Sequence, residues 1–167
     1  MKNVILGLLL ALVFLGCDSK ELNPKDLEAK LVVNQSVAAF NLNDQHEKTH
    51  NISADTKTLV FAFSKEIGHT CNDFFATKEE TYLQDNKAMF VADVSAAPSV
   101  IRSMFIMPGL KDFKHTVLVI DDENVATGYK EGMDTEKIII VKLNDQIISS
   151  ISTVSTTQEL ASTIEAK

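Results

Sequence analysis

The sequence predicts a three-layer α/β/α fold built on a central mixed β-sheet. Three observations carry that prediction. Thr58–Phe63 is an almost unbroken β-rich apolar run, suited to a strand covered on both faces. Further strand-like runs at Met89–Val94 and Thr116–Ile120 are separated from it by stretches with helical apolar spacing, as in strands joined through helices. Two β-branched runs, Lys137–Leu143 and Gln146–Ile151, flank the turn-prone Asn144–Asp145 and read as an antiparallel hairpin. Crossover strands plus a hairpin require a sheet of mixed sense.

The 167 residues, 45% hydrophobic and 23% charged, suit one ordinary domain, placed at residues 37–167. Ahead of it, Lys2 and the apolar run Val4–Leu15 have the form of an export signal, residues 1–16, too short to span a bilayer comfortably. The signal ends Phe14-Leu15-Gly16-Cys17, which resembles the lipobox of bacterial lipoproteins, although Phe14 stands where leucine is more usual. The resemblance implies acylation of Cys17 and a periplasm-facing, membrane-anchored protein. Residues 17–36 then form the lipidated N-terminus and a tether, with a short helix at Pro24–Leu31 as one option. Loss of Lys2 would take the net charge from -7 to -8, which argues against nucleic acid as a partner and against attraction to an anionic bilayer through a basic patch.

Taken in order, Val37–Leu42 reads as a strand or extended arm, Asn43–Lys48 as a turn and Thr49–Ile52 as a short return strand. After Thr58–Phe63 comes a polar turn, and from Cys71 the pattern becomes helical, with Phe74, Phe75, Tyr82 and Leu83 on a broad face and Thr70 or Asn72 as the cap. Ala96–Met107 predicts a second helix, bounded by Pro108 and Gly109. Its packing stripe is Val100, Ile101, Met104 and Phe105, with Met104 and Met107 as core or near-core groups. Asp121–Asn124 reads as a solvated turn before a short element at Val125–Tyr129. A terminal helix is predicted over Thr156–Ile164, opened by Thr156 and Glu159 as a capping box.

The stretch of greatest chemical interest is Lys57–Phe75, because Cys71 is the only cysteine left once Cys17 is modified. Placed on a strand-to-helix turn, its thiol would feel the positive helix end and titrate low. Phe40-Asn41-Leu42-Asn43-Asp44-Gln45, the run KTLVFAF and the late hairpin IIIVKLNDQII together resemble the thioredoxin-like fold, and within it the exported redoxins of bacteria. In active members the loop after the strand carries C-x-x-C. Its nearest counterpart here is Gly68-His69-Thr70-Cys71, which keeps only the second cysteine. Where those relatives place a cis-proline, this chain has Met133-Asp134-Thr135-Glu136. The resemblance therefore implies Cys71 as the candidate catalytic group, with His69, Thr70 and Thr135 as supporting residues. A single thiol cannot both attack and resolve a disulfide, so turnover would need an external thiol partner.

Other chemistries fit less well. Peroxiredoxins carry P-x-x-x-T/S-x-x-C, which would place proline at Ser64 and a hydroxyl at Gly68, and Arg102 is only a generic polarising candidate. His69 and Cys71 with His46 and His50 fall short of the cysteine pair that copper-handling redoxins use, so no metal and no cofactor is expected. Asp121, Asp122 and Glu123 lack the spacing of a calcium loop. The sequence thus points to a membrane-anchored, non-catalytic thioredoxin-like protein of the cell envelope, with a binding or maintenance role and an envelope protein as possible partner. The alternative is a thiol-disulfide oxidoreductase using Cys71.

Overall fold

A computed structural model describes residues 30–166. Cys17, the signal and most of the proposed helix at Pro24–Leu31 lie outside the described residues. The chain forms β1 (Asn41–Asp44), β2 (Thr49–Asn51), β3 (Thr58–Ala62), α1 (Lys65–Ala76), α2 (Tyr82–Asp85), β4 (Ala88–Asp93), α3 (Ser99–Ile101), a π-helical turn (Arg102–Ile106) and α4 (Met107–Lys111). It continues through β5 (Leu118–Ile120), α5 (Glu123–Lys130), β6 (Ile138–Asn144), β7 (Ile147–Val154) and α6 (Thr157–Glu165). The seven strands lie in the order β2-β1-β5-β4-β3-β6-β7. β3, β4 and β5 are parallel, and the other neighbouring pairs are antiparallel, giving the expected mixed sheet.

Alternation along the strands divides the core between the two faces of the sheet. Val60, Ala62, Phe90 and Ala92 pack with Cys71 and Phe75 of α1, Leu83 of α2, Leu110 of α4 and Leu160 and Ile164 of α6. Leu59, Phe61 and Val91 face the other way, onto Ala126 and Tyr129 of α5 and onto Leu31, Val37 and Phe40 of the N-terminal arm. All five residues of β3 are buried, as its continuous apolar run requires.

The arm makes residues 31–36 part of the packed domain rather than free tether. Leu31 is buried, Asn34 N donates to Ile148 O, Ile148 N donates to Gln35 O, and Val37 N donates to Gln146 O. Phe40 packs edge-on against Phe61 and Tyr129, so of the two readings of Val37–Leu42 the extended arm holds up to Phe40 and β1 begins at Asn41.

The hairpin turns one residue later than its composition suggests. Asp145 and Gln146 have φ of 48° and 62°, the left-handed pair that a two-residue turn needs to match strand twist. The capping box of α6 is present, with Thr156 Oγ1 accepting from Glu159 N and the Glu159 carboxylate accepting from Thr156 N. Asp121–Asn124 is exposed, as expected of a solvated turn, but α5 already begins at Glu123: Asp122 caps it, its carboxylate accepting from Asn124 N and Val125 N.

The predicted helix Ala96–Met107 shows the largest departure. It starts at Ser99, runs past Pro108 and Gly109 to Lys111, and widens into a π-turn in the middle. Proline has no amide to donate and its ring presses on the carbonyl four residues back, here that of Met104. The chain answers with a wider turn in which Met107 N donates to Arg102 O, five residues back. The extra residue rotates the predicted stripe out of the core, so Val100, Ile101, Met104 and Phe105 are exposed while Ile106, Met107 and Leu110 pack inward.

Candidate functional site

The corner between β3 and α1 was the expected centre of chemistry, and the structure rebuilds it. α1 begins at Lys65, one residue after its cap Ser64, whose hydroxyl accepts from Ile67 N at 3.4 Å. Glu66 then sits favourably in the first turn. Cys71 is therefore not on a turn; it lies inside the helix, two turns from the N-terminus, at 0% exposure. Ser64 followed by Lys65 and Glu66 was the sequence signal for the earlier start. Gly68 masks that signal by reading as a turn, yet it sits inside the helix with nothing near where a Cβ would stand.

This placement reverses the expected electrostatics. The helix dipole acts within the first turn and does not reach so far along. Burial among apolar neighbours instead pushes the Cys71 thiol up to about 12, against an ordinary thiol in the 8–9 range. At neutral pH the thiol is therefore protonated.

The proposed supporting residues do not gather around the sulfur. His69 is two residues from Cys71, about 200° around a helix, and is exposed on the opposite side. The Thr70 hydroxyl is committed to Glu66 O at 3.0 Å. Thr135 lies in the turn before β6 and shares no hydrogen bond with α1 among the described residues. His46 is exposed, and His50 Nε2 bonds Asp44 Oδ2 at 2.7 Å in the β1–β2 hairpin. Burial pushes the Asp44 carboxyl up, but hydrogen bonds from His50, Lys48 N and His46 N outweigh it and hold the group below its ordinary value. No group of three or more His, Cys, Asp or Glu residues positioned for a metal occurs among the described residues.

Two polar features were not legible in the sequence. His115 is buried in front of β5 among the rings of Phe75, Phe90 and Phe113. Its Nε2 donates to Asn72 Oδ1 at 3.0 Å, while Asn72 Nδ2 donates to Gly68 O in α1. Burial pulls the imidazole down to about 4, so it is neutral at pH 7. The second is the ion pair between Asp93, at the end of β4, and Lys130, at the end of α5, with an Oδ2 to Nζ distance of 2.5 Å and the carboxylate almost fully buried. An open groove of about 680 Å³ runs between the β1–β5 edge and the π-turn. Asn41, Asn43, Asp44, Arg102 and Asp121 line it, and Cys71 does not.

No family model matches the chain, and no curated protein matches it. Solved structures do. The bacterioferritin comigratory protein of Xanthomonas campestris superposes with a TM-score of 0.52 at 11% identity, over 83% of this chain and 96% of that one. The thioredoxin domain of a thiol-disulfide oxidoreductase from Bacteroides vulgatus gives 0.50 at 13%, over 81% and 96%. The fold is thioredoxin-like. A SCO1/SenC family lipoprotein from Bacillus anthracis adds 0.51 at 8% identity, over 82% and 97%. At these identities the likeness carries the fold alone. Gly68–Cys71, read in the sequence as the counterpart of a C-x-x-C loop on a strand-to-helix turn, lie within α1.

Proposed function

We propose that the chain is an exported, membrane-anchored thioredoxin-like protein of the cell envelope that has kept the scaffold without its redox chemistry and acts by binding or maintenance. The observation that carries this reading is the pair of changes at one corner: no thiol stands at the start of α1, and Cys71 is sealed in the core with its thiol raised to about 12. A buried, protonated thiol is a packing group rather than a nucleophile. The apolar Val4–Leu15 run and the lipobox-like end at Cys17 support the anchor, and an acyl chain supplies the membrane partner.

Thiol labelling of the folded protein tests the first part, alongside insulin-disulfide reduction and peroxide turnover with Cys71→Ser as control. Labelling only upon unfolding, with no turnover, is expected. Rapid labelling at pH 7 together with a trapped mixed disulfide would overturn the reading in favour of an oxidoreductase working with an external thiol. Detergent partitioning of the wild type and Cys17→Ala tests the anchor: the variant should move to the aqueous phase, and unchanged partitioning would rule out lipidation at Cys17.

A further inference from the structure

The two borders of the sheet are finished differently. β2, at one border, is three residues long, carries His50 and follows directly on Glu47 and Lys48. Shortness and charge are the ordinary protection of an exposed edge against pairing. β7, at the other border, is eight residues long, the longest of the seven strands. The arm covers only its beginning, where Val37 N donates to Gln146 O and Asn34 and Gln35 bond Ile148. Past the bulge at Ser149, Ser150–Val154 pair in regular register with β6 on the inner side. On the outer side these residues have no backbone partner among the described residues.

This border also lacks the usual protections in sequence. From Gln146 to Gln158 there is no charged residue, no proline and no glycine, in a chain that is 23% charged. The charges beside it are engaged elsewhere: Lys142 Nζ donates to Thr58 Oγ1 and Thr163 O, the Glu159 carboxylate accepts from Ser155 N and Thr156 N, and Lys137 pairs with Asp134. An open recess of about 500 Å³, lined by hydroxyl-bearing residues such as Thr153, Thr156 and Ser162, separates the end of β7 from α6, so the helix does not close the border off. Outward N–H and C=O groups held in extended geometry are a template for another strand.

Charge and symmetry select which strand. The chain carries a net charge of -7, so two copies approach with least repulsion through a neutral surface. Antiparallel pairing about a two-fold axis sets each residue opposite one from the same segment, where a charged side chain would meet its like. Centred on Ser152, the regular stretch overlaps completely: Ser152 meets Ser152, Ile151 meets Thr153 and Ser150 meets Val154. These pairs also agree in face, since Ser150, Ser152 and Val154 lie on the α6 side of the sheet and Ile151 and Thr153 on the α5 side. With β2 too short and too polar to continue the pairing, the assembly closes at two copies. Five residues span about 17 Å and supply about four to six inter-chain hydrogen bonds, a small interface that makes the pair reversible.

We propose that the free part of β7, Ser150–Val154, is a homodimer interface at which a second copy of the chain adds its own β7 antiparallel, joining two seven-stranded sheets into one. The contact needs neither the anchor nor a redox centre, so it is independent of the function proposed above.

Sedimentation of the full-length chain in a mild non-ionic detergent, over a wide range of concentration, should show a reversible equilibrium between one copy and two. Ser152→Lys should weaken the association several-fold while leaving the urea midpoint of the fold unchanged, because Ser152 is exposed. An equimolar mixture of Ser152→Lys and Ser152→Glu should restore it. Ser152→Cys should give a disulfide-linked pair on mild oxidation, whereas the wild type and Thr49→Cys, on β2, should not. A single copy at every concentration, a dimer that Ser152→Lys leaves intact, or species that grow beyond two copies would each overturn the proposal. A single copy that pairs only after deletion of residues 18–29 would assign the border to that segment of the same chain and overturn the second copy as its occupant.

Discussion

Protonation of His115 should set the acid sensitivity of the fold. Its ring is 4% exposed, its Nε2 proton is committed to Asn72 Oδ1, and its buried Nδ1 has no partner among the described residues. A second proton would therefore place a cation among Phe75, Phe90 and Phe113 with no acceptor for the new N–H. The folded value near 4 lies below the ordinary 6.5, so the unfolded chain takes up the proton first as pH falls. The stability linked to the neutral ring is complete above pH 6.5 and is lost as pH drops toward 4. Linkage over that window gives a ceiling of about 2 kcal/mol lost by pH 5 and about 3 kcal/mol by pH 4, with solvent screening lowering both. Urea unfolding at pH 7, 6 and 5 measures this as a falling midpoint at constant slope. His115→Gln keeps an amide donor toward Asn72 without the titration, so its stability should vary less over the same range. Equal pH dependence in wild type and variant would refute the assignment, because the exposed His46 and His69 and the Asp44-paired His50 are shared by both proteins.

Other perturbations follow from local chemistry. Gly68→Ala should raise stability by about 0.5–1 kcal/mol in denaturant unfolding, since the site is helical and a Cβ meets nothing there. Thr156→Ala removes one half of the α6 capping box and should cost about 1 kcal/mol in the same assay. Lys130→Met leaves the Asp93 carboxylate buried without its cation and should cost about 3 kcal/mol by thermal or urea unfolding. Restoring neutrality with Asp93→Asn in the same chain should recover part of that loss, and no recovery would show that the pair is not coupled.

The sheet was legible because β3, β5 and the β6–β7 hairpin are written in long runs of Val, Ile, Leu and Phe whose only low-energy place is a two-sided core. Helix limits were harder. Ser64 and Gly68 sent opposite signals, and the cap prevailed over the glycine because a mid-helix glycine costs only about 1 kcal/mol, less than tertiary packing of Phe75 supplies. That shift of α1 moved Cys71 from a candidate reactive corner to the interior. At α3 the stripe of Val100, Ile101, Met104 and Phe105 kept helical spacing but met a proline seven residues after Ile101, and with the π-turn the inward face fell to Ile106, Met107 and Leu110 instead. The His115–Asn72 bond joins residues 43 positions apart and depends on how α1 lies against β5, which no local pattern records.

The arm along β7 also determines how the domain carries a load. A pull entering at Lys30 first meets the bond from its amide to Gly128 O, then the pairing of Asn34 and Gln35 with Ile148, then Val37 with Gln146. These links follow one another along the chain, so a pull directed away from β7 would load them one at a time. Leu31 and Val37 would leave the core in the same sequence, while β3, β4 and β6 stay paired behind them. Release of residues 31–37 adds roughly 25 Å of contour. The bonds of residues 30–37 thus stand between the chain entering the domain and the paired strands behind it.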